Sequence, residues 1–146
     1  MARMTELKLL ALDADDLKIV SAHMQDSVFK ATDIEWSPKR GHFSLVVNRF
    51  VWEAAARGAK GFERRRAAIT FKRVTAVRAL GVARHREDLV YSLLAMRFDQ
   101  KDEGPDGTIE LTLAAGAAIS LDVECIEAQL ADTGGAWGTE NLPQHE

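Results

Sequence analysis

The sequence predicts an α+β domain: mainly an antiparallel curved sheet or partial barrel of about seven strands, with one N-terminal helix. Three observations carry this. Residues 14–25 keep apolar side chains at helical spacing. From Val28 onward the apolar period shortens to two, and glycine- or proline-bearing turns separate the period-two runs. At 146 residues, 47% of them hydrophobic and 28% charged, the chain suits one globular unit able to bury its own core.

Leu7, Leu9, Leu10 and Leu12 mark a short strand over 6–12. Asp13 can cap the free amides of a first helical turn, and Asp15 and Asp16 suit its positive end. Leu17, Val20 and Met24 then recur on one helical face, so the helix is placed at 14–25. Residues 28–36 and 43–52 read as two strands of a hairpin joined through Ser37-Pro38-Lys39-Arg40-Gly41, with Trp36 or Trp52 substantially buried.

Residues 53–66 form an alanine- and glycine-containing basic excursion, with a helical turn expected near Glu53–Arg57. Residues 68–80 are strand-like, but Val74 and Ala76 fall out of phase with Ile69 and Phe71; a bulge near Lys72-Arg73 restores the inward face. Leu89–Phe98 is apolar enough to be a central strand. An acidic loop over 99–107 follows, and then alternating strands carry Ile109, Leu111, Leu113 and Ile119, Leu121, Val123. Residues 124–130 fit either a helix or a strand resumed after a bulge at Glu124-Cys125, with strand favoured. The domain is expected to span 5–131, and 132–146 to form a loose C-terminal tail to which Trp137 is a candidate anchor.

The net charge of −3 conceals an asymmetry. Residues 57–86 hold ten Lys/Arg against Glu63 alone, and residues 99–146 hold Lys101 against eleven acids. Such segregation marks either an anionic partner or basic and acidic strands lying side by side. The sharpest site candidate is an anion-binding cluster of Arg57, Lys60, Arg64, Arg65 and Arg66, whose guanidinium forks suit phosphate or carboxylate. Arg64–Arg66 are expected to be at least partly exposed.

Other chemistries find little support. Counted from Asp13, a calcium loop would need Gly at Lys18 and Glu at Met24. The four histidines form no ligand pair, and the single cysteine, Cys125, excludes an internal disulfide and lies among acids that disfavour a thiolate. No metal, no cofactor and no catalytic residue is assigned. No run approaches the roughly 18 apolar residues of a membrane span, and Leu9–Leu12 is too short for a signal core, so a cytoplasmic protein without membrane attachment is expected. The sequence favours a non-enzymatic binding or accessory domain for a protein, peptide or anionic ligand. The alternative is a small enzyme using an acid/base pair such as His23 with Asp26.

The runs Leu7–Leu17 and His23–Val28, the segment Phe43–Glu53 and Arg64-Arg65-Arg66-Ala67 together resemble an uncharacterised bacterial family, a domain of unknown function, over roughly residues 5–131. The resemblance implies no catalytic residue, cofactor or partner.

Overall fold

Asp13 starts the helix as its side chain dictates. In the computed structural model, which describes residues 7–52 and 63–138, the Asp13 carboxylate accepts the Asp16 amide at 2.8 Å. Asp16 reaches back to the Leu12 amide at 3.1 Å, so two otherwise orphaned donors are satisfied reciprocally. The helix, α1, covers Ala14–Met24 and buries Leu17, Val20 and Met24, the face read from the sequence. It stops where Asp26 adopts φ 66°, a conformation that short polar side chains tolerate.

Ten strands stand among the described residues, more than the seven or so expected. In chain order they are β1 (Lys8–Ala11), β2 (Ser27–Lys30), β3 (Ile34–Ser37), β4 (His42–Phe50), β5 (Glu63–Phe71), β6 (Val74–Leu80), β7 (Val90–Gln100), β8 (Gly107–Leu113), β9 (Ala118–Val123) and β10 (Ala128–Gly138). All pairings are antiparallel, in the order β1-β10-β5-β4-β2-β7-β8-β9-β6, with β3 also on β4.

The extra strands come from splitting. The run 28–36, read as one strand, breaks at Ala31–Asp33, a short 3-10 turn in which the Asp33 carboxylate accepts the Lys30 amide at 2.8 Å. Only β3 forms the hairpin with β4; β2 touches β4 at Val28↔Asn48 alone and pairs along its length with β7. Trp36 and Trp52 are both half-buried. The out-of-phase point at Lys72-Arg73 is likewise a break, with Arg73 at φ 61° between β5 and β6. Residues 124–127 part β9 from β10, and Ile126, Ala128 and Leu130 are buried, as the strand reading of that stretch requires. β10 continues to Gly138, so 132–138, expected to be tail, pair with β5 across a register shift between Asp132 and Ala136. The helical turn expected near 53–57 lies outside the described residues, as does the Trp137 side chain.

These breaks shape the molecule. β5 pairs with β10 and β6 with β9, so β5–β6 and β9–β10 run as one two-stranded ribbon that bends at residues 72–73 and 124–127. Its two halves lie at opposite ends of the strand order, and the sheet therefore curls back on itself while remaining open. Phe43, Leu45, Ile69, Phe71, Ile109, Leu111, Ile119 and Leu121 fill the interior, and α1 lies against β7 and β1. The Ser21 hydroxyl accepts the Met96 amide at 2.9 Å, next to the irregular register of β7 at Leu93/Ala95.

Candidate anion-binding groove at the strand bend

The ribbon sets a basic strand against an acidic one, and the charges meet across it. Arg78 on β6 makes a two-pronged contact with Asp122 on β9, at 2.6 and 2.8 Å. Arg73 at the bend reaches Glu127 at 3.4 Å, and Arg65 on β5 approaches Asp132 on β10 at 3.9 Å. Three cations of the basic stretch, Arg65, Arg73 and Arg78, are thus answered by acids across the ribbon.

The bond from the Arg78 guanidinium holds the Asp122 carboxyl below its ordinary range, with help from the Thr108 hydroxyl and against the effect of burial. A carboxylate with a depressed folded pKa stabilises the fold above its unfolded value of about 3.9, and that stabilisation is lost as pH falls through the folded value. Because the pair is half exposed, Asp122→Asn should cost only about 0.5–1 kcal/mol at neutral pH. In urea melts the gap between variant and parent should be full at neutral pH and close as acid protonates the folded carboxyl.

Arg65 does not face solvent. It is 3% exposed, lies opposite Arg49 in the β4–β5 register, and joins Arg49 and Asp132 in a buried charged cluster. Arg49 binds both Asp132 oxygens, through Nε at 2.8 Å and Nη2 at 3.1 Å, and Asp132 also accepts the Leu7 amide at 2.9 Å. Arg64 is half-buried; it donates to the carbonyls of Asp26 and Asn48 at 3.2 and 3.1 Å and lies 6.0 Å from the Phe50 ring centroid. The expected exposure of Arg64–Arg66 therefore holds for Arg66 and in part for Arg64, and fails for Arg65 because β5 alternates its side chains between inside and outside. Arg66 lines a recess of about 300 Å³ with Lys30 and Asn48. Arg57 and Lys60 lie outside the described residues.

A larger concavity opens where the ribbon bends. The β3–β4 turn folds against the start of β6: Gly41, at φ 71°, donates to Ser37 at 2.8 Å and accepts the Val74 amide at 2.9 Å. A Cβ at Gly41 would stand 3.0 Å from the Val74 carbonyl oxygen, so glycine serves both the conformation and the close approach. The resulting groove, about 550 Å³, is bordered by Lys39, Arg40 and His42 from the turn, Lys72 and Arg73 from the bend, and Glu124 and Glu127 opposite. Arg73 is matched by Glu127, whereas Lys39, Arg40 and Lys72 have no ion pair among the described residues. The sequence reading treated Lys39 and Arg40 as turn residues. What brings them to Lys72 is the bend, and the phase break at Lys72-Arg73 was its only trace in the sequence.

His23 Nδ1 donates to the Ile19 carbonyl of its own helix, 3.0 Å away, and makes no bond or ion pair with Asp26. His42 borders the groove, and among the described residues no second histidine lines it. Among the described residues no group of three His, Cys, Asp or Glu side chains has metal-binding geometry, and no helix is long and apolar enough to cross a membrane.

These features define a mainly antiparallel β domain with a helix near its N-terminus and a cation-lined groove at a strand bend. The chain belongs to the family described as "Protein of unknown function (DUF2948)", whose pattern matches residues 7–145. The sequence-level resemblance to an uncharacterised family is thereby borne out, and the match runs past 131 to the C-terminal region. No curated protein and no solved structure matches the chain.

Proposed function

We propose that this domain is a non-enzymatic binding module that takes an anionic group, a phosphate or carboxylate, in the groove at the strand bend. One observation carries the reading: Lys39, Arg40 and Lys72 converge on one concavity from two chain segments and have no ion pair among the described residues. Cations left unpaired beside a pocket keep their full attraction for a ligand, and an arginine fork adds directed hydrogen bonds. A cytoplasmic setting belongs to the same reading, supported by the lone cysteine.

Isothermal titration calorimetry with inorganic pyrophosphate at low salt tests it. Binding should weaken as salt is added. The triple variant Lys39→Ala, Arg40→Ala, Lys72→Ala should bind at least tenfold more weakly with a melting temperature close to that of the parent, because Lys39 and Arg40 are exposed and Lys72 half-buried, and surface substitutions typically stay within about 0.5 kcal/mol each. Absence of pyrophosphate binding by the parent sinks the proposal. Loss of binding in Arg66→Ala alone would move the site to the recess beside Lys30, in keeping with the cluster read from the sequence.

A further inference from the structure

The groove at the bend does not end at the basic residues. Farther along the same two elements lies an apolar cleft of about 150 Å³, bordered by Ile34 and Trp36 of β3, Phe43 of β4, Val77 and Ala79 of β6, and Val82, with Arg84 at its far end. His42 and Phe43 on one wall, and Thr75 and Val77 on the other, carry the lining from the basic groove into the apolar cleft. Along these elements, therefore, a basic groove, an adjoining apolar cleft and Arg84 follow one another.

One wall is an unfinished sheet edge. Among the described residues β6 ends the strand order and pairs with β9 alone, so beyond the Val74 amide, which the Gly41 carbonyl accepts, alternate main-chain amides and carbonyls along its other side have no strand partner there. Natural edges are usually blunted by lysine, proline, inward charge or short length. β6 has seven residues, roughly 20 Å at about 3.3 Å each, and reads Val-Thr-Ala-Val-Arg-Ala-Leu. Its one charged residue, Arg78, is turned to the other face and held by Asp122. Leu80, at the end of the edge, is 68% exposed.

We infer that an extended, acidic segment of a partner protein adds to the free edge of β6, a conclusion that rests on the anion-binding reading above. Main-chain hydrogen bonds along β6 supply affinity, and alternate apolar side chains of the segment enter the cleft beside Trp36 and Val77. Acidic residues before and after this apolar stretch meet Lys39, Arg40 and Lys72 at one end and Arg84 at the other. Arg84 is exposed and has no ion pair among the described residues. Charge complementarity selects an acidic occupant, since both ends of the cleft present cations.

Fluorescence anisotropy with two labelled peptides tests this: Glu-Glu-Val-Thr-Val-Thr-Val-Glu-Glu and its counterpart with lysine at the four flanking positions. The acidic peptide should bind at least tenfold more tightly, and the double variant Arg40→Glu, Arg84→Glu should reverse the preference. Methylating the peptide's alternate backbone nitrogens that face β6 should abolish binding. Equal binding of the methylated peptide, or no preference between the two charge patterns, overturns the inference. A dimer in sedimentation that the acidic peptide cannot dissociate also overturns it, by assigning the edge to a second copy. If the peptides fail while pyrophosphate still binds, only strand addition is wrong; if pyrophosphate fails too, the anion-binding reading falls with it.

Discussion

Asp132→Ala should destabilise the protein by about 3–5 kcal/mol, the range for breaking a buried ion pair from one side. The carboxylate is the shared acceptor of its cluster: it binds Arg49 twice, accepts the Leu7 amide and stands 3.9 Å from Arg65. Alanine would leave two interior guanidinium groups facing the lost acceptor, in a place water does not reach, while Arg65 Nε already has no hydrogen-bond partner among the described residues. Asp132→Asn keeps an acceptor oxygen but not the charge, so its cost should be smaller. Urea denaturation of both variants gives the ordering, and a loss under about 1 kcal/mol for the alanine variant would mean the cluster contributes little to holding β10 in place.

Phe71→Ala should cost a similar amount, about 3–5 kcal/mol, through lost burial and the cavity left behind. Phe71 is fully buried as the last residue of β5, opposite Phe43 on β4 and Ala128 on β10. The two rings lie 6.4 Å apart in a tilted arrangement. The pair fills the interior next to the point where the ribbon turns, so its loss should also loosen the groove above it. The same variant should therefore bind pyrophosphate more weakly even at temperatures where it remains folded. Unchanged affinity would show that the groove is fixed by the Gly41–Val74 contact instead.

Much of the fold was legible because local patterns and tertiary structure agree. The Asp13 cap with Leu17, Val20 and Met24 describes α1 almost to the residue, and Ile119, Leu121 and Val123 alternate into the core as read. The split between β2 and β3 was hidden because Val28, Ile34 and Trp36 stay in phase with one another on either side of Ala31–Asp33, where a side chain-to-backbone bond ends one strand and begins the next. The strand over 132–138 was hidden by its glycines, which signal a loop unless a neighbouring strand is there to pair with.

For the candidate site the failure is different in kind. Arg49 stands in phase with Phe43, Leu45 and Val47, and Arg65 in phase with Ala67, Ile69 and Phe71. Following the period without regard to residue type would have placed both arginines inside. Composition instead grouped Arg65 with the exposed cations. The groove residues Lys39, Arg40 and Lys72 are more than thirty positions apart between turn and bend, and only the folded ribbon brings them together.

The β1–β10 pairing has a consequence for how the chain acquires this structure. Lys8 is matched with Ala131, and the Leu7 amide is satisfied by Asp132, 125 positions later. At about 5–20 residues per second of synthesis, the first strand waits on the order of ten seconds for its partner to be made. During that interval the apolar residues of β1 have no sheet to join, and β5 has only β4 beside it. Closure of so long a loop is entropically costly and comes late, so the native sheet is completed after translation of its last strand rather than progressively from the N-terminus.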